Sequence, residues 1–137
     1  MKGKVISVNI SKQKGVRKEP VDFIVLKENF GIIGDVHSNT PKREVSLLSI
    51  KQVGFPFQPG LFAENITVDG VDFSFVRIGD IIKIGKCILE IAQIGKECYD
   101  ECEIKKKFGR CVMPKLGVFT KVIKGGRITP LEKIAVF

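Results

Sequence analysis

The sequence predicts a mainly β fold, a closed or nearly closed β-barrel carrying one or two short helices. Three observations lead there. Apolar residues recur with the strand period far more often than with the helix period. The strand-like runs are short and closely spaced, and glycine, proline and aspartate punctuate them. The 137 residues contain no linker-like stretch and no internal repeat, so a single domain over residues 1–137 is expected.

The elements follow in order. Val5, Ile6 and Val8 open a strand from Lys4 to Ile10. The run Val21-Asp22-Phe23-Ile24-Val25-Leu26 reads as a second strand. A glycine-punctuated loop follows, Phe30-Gly31-Ile32-Ile33-Gly34-Asp35, where backbone angles closed to other residues or a close approach to a ligand are expected. Val45 to Leu48 has the apolar content of a buried strand, and Ser49 is placed to cap a short helix over Ile50 to Val53. Asn65 to Val68 forms the next strand and turns at Asp69-Gly70. Asp80 to Ile84, the turn Gly85-Lys86 and Cys87 to Ile91 make the clearest hairpin. A second hairpin is expected where Gly117 to Ile123 turns through Lys124-Gly125-Gly126-Arg127 into Ile128. Glu97 to Phe108, rich in Glu and Lys, is the best helix candidate.

The composition excludes several classes. A hydrophobic fraction of 44% and a charged fraction of 28% are those of a globular chain rather than a disordered or fibrous one. No apolar run approaches the roughly 20 residues of a membrane span, and Met1-Lys2-Gly3-Lys4-Val5 leads into a strand rather than a signal core. A cytoplasmic location without membrane partners is the expectation. The net charge of +8 favours anionic ligands. No Walker loop, dinucleotide fingerprint or RNP pattern accompanies it, so nucleic acid is not an expected partner.

The unusual feature is the distribution of cysteine. Of Cys87, Cys98, Cys102 and Cys111, the last three fall within one short stretch. On a helix, Cys98 and Cys102 are i and i+4 on one side, and Cys111 lies just beyond. Three readings remain open: small buried hydrophobes, a structural zinc site that Cys98 and Cys102 fit loosely as a pair, and a reactive thiolate. Cys98 near a helix N-terminus, with Lys96 beside it, has the surroundings that lower a thiol pKa. Elsewhere, Gly34-Asp35-Val36-His37 and Arg43 form a second polar group, in which the planar fork of Arg43 suits a phosphate or carboxylate. Glu64-Asn65 precedes a strand, where it serves either a binding mouth or a turn.

Taken in order, Gly31 to His37, Arg43-Glu44-Val45-Ser46-Leu47-Leu48, Phe62-Ala63-Glu64-Asn65-Ile66-Thr67-Val68, Ile78-Gly79-Asp80 and Gln93 to Cys98 resemble the MOSC domain. That domain is the C-terminal part of molybdenum cofactor sulfurases and also a stand-alone bacterial protein. Gly95-Lys96-x-Cys98-x-x-x-Cys102, Gly109-x-Cys111-x-Met113-Pro114 and Gly117-Val118-Phe119 are similar to the stand-alone subgroup. The resemblance runs from about Lys4 to Phe137. It implies a barrel of the pyruvate-kinase type that binds the molybdenum cofactor (molybdopterin).

The family cysteine, five residues after a glutamine, falls on Cys98 after Gln93; it ligates molybdenum or carries sulfur. Cys102 and Cys111 match only the subgroup and are further metal-ligand candidates. Arg43, His37, Asn65, Gln93 and Lys96 are the cofactor-binding candidates that follow from this. Ala63 stands where glycine is usual, a change expected to leave the turn nearly intact, and Tyr99 stands where histidine often follows the cysteine. The chain has no room for the pyridoxal-phosphate domain that generates persulfide. Molybdenum enzymes or cofactor-biosynthesis proteins are therefore the implied partners. Sulfur transfer or a molybdenum-dependent reaction with a partner is the implied chemistry, and a zinc-stabilised binding module without activity is the alternative.

Overall fold

In the computed structural model, residues 1–53, 58–95 and 116–137 are described. Eleven strands are found among them: β1 (Lys2–Ile10), β2 (Glu19–Val21), β3 (Ile24–Lys27), β4 (Gly31–Ile32), β5 (Val45–Ser49), β6 (Ile66–Asp69), β7 (Ile81–Ile84), β8 (Cys87–Ile94), β9 (Val118–Lys124), β10 (Gly126–Ile128) and β11 (Lys133–Val136). Seven of them close into a barrel in the order β11-β7-β8-β9-β5-β6-β1, with β1 returning to β11. The first strand makes the closure. Its residues Lys2 to Lys4 pair with β11, Lys4 to Val8 pair with β6 across an irregularity between Val5 and Ser7, and Val8 to Ile10 pair with β2. The β5–β6 pair is parallel. A parallel pair needs a long crossover, and residues 50–65 supply it.

Strand alternation, reset on β1 by the irregularity between Val5 and Ser7, puts Val5, Val8, Val45, Leu47, Ile66, Val68, Leu89, Ile91, Val118 and Val122 into one core inside the barrel. Leu48 and Phe119, on the opposite faces of their strands, join Val53 and Phe62 in a second cluster. That cluster lies on the outside of the barrel wall, where Val53 and Phe62 cover Leu48, so the outward as well as the inward face of β5 is buried.

The hairpin of β7 and β8 stands as expected, with Ile84 paired to Cys87. Three other expectations are corrected. The run 21–26 is two strands: β2 pairs with β1, whereas β3 belongs to a separate three-stranded sheet with β10 and β4. The expected hairpin after Gly117 does not form, because both edges of β9 are taken by β5 and β8, and β10 pairs with β3 instead. Ser49 does not cap with its side chain. Its hydroxyl donates to the Val71 carbonyl, and the helix that follows is a single 3-10 turn, Ile50–Gln52. The helix expected over 97–108 lies outside the described residues.

Candidate functional site

The barrel registers bring two of the candidate residues, Gln93 and Asn65, into one line. Gln93 pairs with Phe119, and Phe119 pairs with Ser46. Asn65 reaches Ser46 through its own backbone and side chain, and its amide reaches the Asn9 carbonyl at 3.2 Å. The row Gln93–Phe119–Ser46–Asn65–Asn9 therefore crosses β8, β9, β5, the start of β6 and β1. Phe119 belongs to the outer cluster, and Val8, Leu47 and Ile66, the chain neighbours of Asn9, Ser46 and Asn65, face inward. The polar row is thus on the outside of the barrel wall, yet Asn9, Asn65 and Thr67 are fully buried there.

Asn65 ties three segments together. Its Oδ1 accepts from the Ser46 N–H (3.0 Å) and hydroxyl (3.1 Å), while its Nδ2 donates to Asn9. Asn9 in turn donates to the Glu64 carbonyl and to Thr67 Oγ1 and accepts from Ser7. Glu64 gathers the preceding turn. Its Oε2 accepts from the Thr67 hydroxyl (2.7 Å) and the Gly60 N–H (3.0 Å), and its Oε1 accepts from the Phe62 N–H. Burial pushes the Glu64 carboxyl above the usual range, outweighing these donors. Gly60, at φ +85°, lies against the Lys18 carbonyl so closely that a Cβ would overlap it. Lys18 N–H also donates to the Gly60 carbonyl at 2.8 Å. Ala63, at φ +63°, occupies the left-handed region. The turn itself stands, with Ala63 N–H bonded to Gly60 O at 2.9 Å. The alanine nonetheless carries a backbone strain that glycine would not.

The polar stripe on β1 continues from Ser7 and Asn9 to Ser11, where a second group assembles. Lys18, fully buried, places its Nζ 2.8 Å from Asp35 Oδ1, 3.2 Å from Ser11 Oγ and 3.0 Å from His37 Nδ1. Asp35 also accepts from the Ser11 N–H through Oδ1 and from the His37 N–H through Oδ2, both at 3.0 Å. Burial pushes this carboxyl up. The Lys18 ammonium and the donors from Ser11 and His37 outweigh that and hold it below the ordinary carboxylate range. Lys18 and Asn9 were missed in the sequence because nothing in a lone Lys or Asn marks burial. The one available signal was the Gly34-Asp35-Val36-His37 loop, which needs a cation.

The remaining candidates are placed as follows. Gln93 comes directly after a register irregularity between Ile91 and Gln93, a device that re-aims a side chain. Its Nε2 donates to the Gly95 carbonyl at 2.8 Å. Gly95 N–H bonds the Gly117 carbonyl at 2.7 Å, so the two ends of the segment that carries the cysteine cluster are fastened together. Arg43 is half-buried, and its N–H donates to the Thr40 carbonyl. Lys96, Cys98, Cys102 and Cys111 lie outside the described residues. Cys87 is free and buried inside the barrel, its thiol pushed up to about 11 first by burial and then by Glu132, which suits an inert thiol. Among the described residues, no three His, Cys, Asp or Glu side chains gather as a metal site. No helix among them is long and apolar enough to cross a membrane.

Residues 35–134 match the family model described as the MOSC domain. The chain belongs to the MOSC domain family. This MOSC chain is 25% identical over 156 residues to the uncharacterized protein YflK of Bacillus subtilis, covering 92% of the chain and 69% of that protein. Its fold is similar to that of the YuaD protein from Bacillus subtilis, with a TM-score of 0.80 and 19% identity over 99% of this chain and 96% of that one. It is also similar to YiiM from Geobacillus stearothermophilus, with a TM-score of 0.73 and 20% identity over 98% and 75% of the two chains. These likenesses establish the barrel. The family as a whole is associated with molybdenum-cofactor binding.

Proposed function

We propose that this chain binds the molybdenum cofactor and uses Cys98 to carry sulfur, or the cofactor itself, to molybdenum enzymes. The observation that carries the reading is the family match over residues 35–134 together with Gln93 five residues before Cys98. The basic and donor side chains near the Gly34 loop suit the anionic end of such a ligand. Every buried side-chain N and O among the described residues has a partner, and Asn9, Asn65 and Ser46 hold this wall together through their mutual bonds. The cationic and donor groups within residues 34–43 are His37, a quarter exposed, and the half-buried Arg43. Lys12 joins them, its Nζ 3.5 Å from where a Cβ on Gly34 would stand. These three would take the phosphate. When bound, the cofactor supplies a dithiolene-held molybdenum as the target of a thiolate or of sulfur. In sulfur carriage, the Cys98 thiolate takes the terminal sulfur of a donor persulfide as the donor thiolate leaves.

The test is anaerobic incubation with isolated molybdenum cofactor, desalting, and counting molybdenum and zinc per chain. Near-stoichiometric molybdenum in the wild type, at least about tenfold lower in Cys98→Ser, is the expected result for loss of a ligand worth about 1.4 kcal/mol or more. Stoichiometric zinc without molybdenum overturns the reading and leaves a zinc-stabilised binding module.

A further inference from the structure

We propose that the outer face of β1 and β11 carries a second anion site, a lysine-lined groove that takes a multiply charged phosphate group. The site is separate from the one assigned to the cofactor and does not depend on that reading.

Strand alternation puts Lys2 and Lys4 on the outer face of β1, and both are exposed. The barrel closure sets Lys133 of β11 directly across from Lys4. Cβ atoms in such a pair stand about 4.5–5.5 Å apart, and like charges there repel. Asp69, at the end of β6, flanks Lys4 on its other side, but its Oδ1 already accepts from the Gly70 N–H at 2.8 Å. Among the described residues, none of the three ammonium groups forms a salt bridge. These four side chains, with Gly70 and Ile6 beside them, line an open groove of about 610 Å³. Ile6 reaches it where the β1–β6 register passes from Val5 to Ser7, an irregularity that re-aims a side chain. The volume is that of a small-ligand site. Three lysines against one aspartate leave the groove an excess of positive charge that a dianion or larger anion balances. An anion seated between Lys4 and Lys133 turns their repulsion into two attractions. No arginine is among the lining residues, so the planar fork that grips a carboxylate is missing, whereas compact ammonium groups suit phosphate as point charges. Lys4 is seven residues from Ser11, about 23 Å of extended chain, so the groove lies toward the opposite end of β1 from the Asp35 loop that Ser11 contacts.

Amide NMR of the untagged, ligand-free protein, titrated with inorganic pyrophosphate at low ionic strength, locates the site. The expected result is a saturable shift at Lys2, Lys4, Gly70 and Lys133 that weakens as salt is added. Lys4→Gln and Lys133→Gln, both at exposed positions, should each weaken binding roughly two- to fivefold. Lys121→Gln, the same charge change at an exposed position of β9 across the barrel, should leave it unchanged. No shift in the groove, shifts confined to residues 34–43, or an equal loss in Lys121→Gln overturns the proposal; molybdenum loading tests the cofactor reading separately. A second titration with a nucleoside diphosphate separates the two sources of phosphate. Tighter binding with an added shift at Ile6 assigns a phosphate ester, and binding no tighter than pyrophosphate assigns the free ion. A single-stranded oligonucleotide that binds more tightly than either, with shifts running on to Lys83 and Lys124, overturns the small-ligand site in favour of nucleic acid.

Discussion

Lys18→Met breaks a buried ion pair while keeping most of the side-chain volume. Both side chains are fully buried and lie 2.8 Å apart. Removing the ammonium leaves the Asp35 carboxylate with two backbone N–H donors, from Ser11 and His37, and no cation. Losing one partner of such a pair costs about 3–5 kcal/mol, because the other charge stays buried. For a chain of this size that corresponds to roughly 12–20 °C in Tm. Urea unfolding at neutral pH measures it directly. The Asp35 carboxyl sits below its ordinary value, so its contribution is fully present above the unfolded value of about 3.9 and is lost as pH falls through the folded one. In Lys18→Met the opposing burial acts without the ammonium and the carboxyl rises, so the stability gap between wild type and variant should close as pH falls through the acid range. Combining Lys18→Met with Asp35→Asn should cost less than the sum of the single changes, by about 1–3 kcal/mol, because no unpaired charge remains. A single-variant cost below about 1 kcal/mol, strict additivity, or a gap that widens in acid would refute the reasoning.

Two further outcomes are expected. Ala63→Gly should stabilise the chain by about 0.5–1 kcal/mol: relief of a left-handed alanine returns about 1–2 kcal/mol, and glycine's extra chain entropy takes back about 0.5–1. A lower Tm for the variant would show that the turn is not held at φ +63°. Glu64→Gln should cost about 1–3 kcal/mol at pH 4, since the amide N–H2 must face either the Phe62 N–H or the Gly60 N–H and Thr67 hydroxyl. Because the Glu64 carboxyl is raised, the wild type loses stability as pH climbs from the unfolded value of about 4.3 through the folded one. The difference between the two proteins should therefore shrink from pH 4 to 8, and a widening difference in chemical denaturation would reverse the sign.

Local patterning made the barrel legible where neighbours in sequence are also neighbours in space. Residues 80–91 have alternating apolar positions about a glycine turn, and Ile84 duly pairs with Cys87. The same logic failed at residues 117–128, where the turn chemistry is good but the destination strand was decided elsewhere. β5 and β8 occupy both edges of β9, and no local signal reports an occupied edge. Residues 21–26 failed for a related reason: one apolar run serves two sheets, and the break at Asp22-Phe23 has no glycine or proline to announce it. At the site, Asp35, His37, Glu64 and Asn65 were visible as loop punctuation. Lys18 and Asn9 were not, because their value lies in burial against residues 17 and 56 positions away.

The two acids of those loops show how the signature divides its labour. Glu64 has donors but no cation among its bonds, and burial raises it. Asp35 has similar backbone donors plus an ammonium, and it is lowered. A carboxyl that fastens a turn to a wall needs only acceptors, which Glu64 supplies to Gly60, Phe62 and Thr67. A carboxyl that must stay ionised beside a partly exposed imidazole needs a resident cation. Gly60 links the two, since its N–H goes to Glu64 and its carbonyl takes the Lys18 N–H. The turn that Glu64 closes thus also sets where the Lys18 side chain begins. Disturbing Glu64 should reach His37 through one glycine, and the His37 imidazole signals of Glu64→Gln are where that coupling would register.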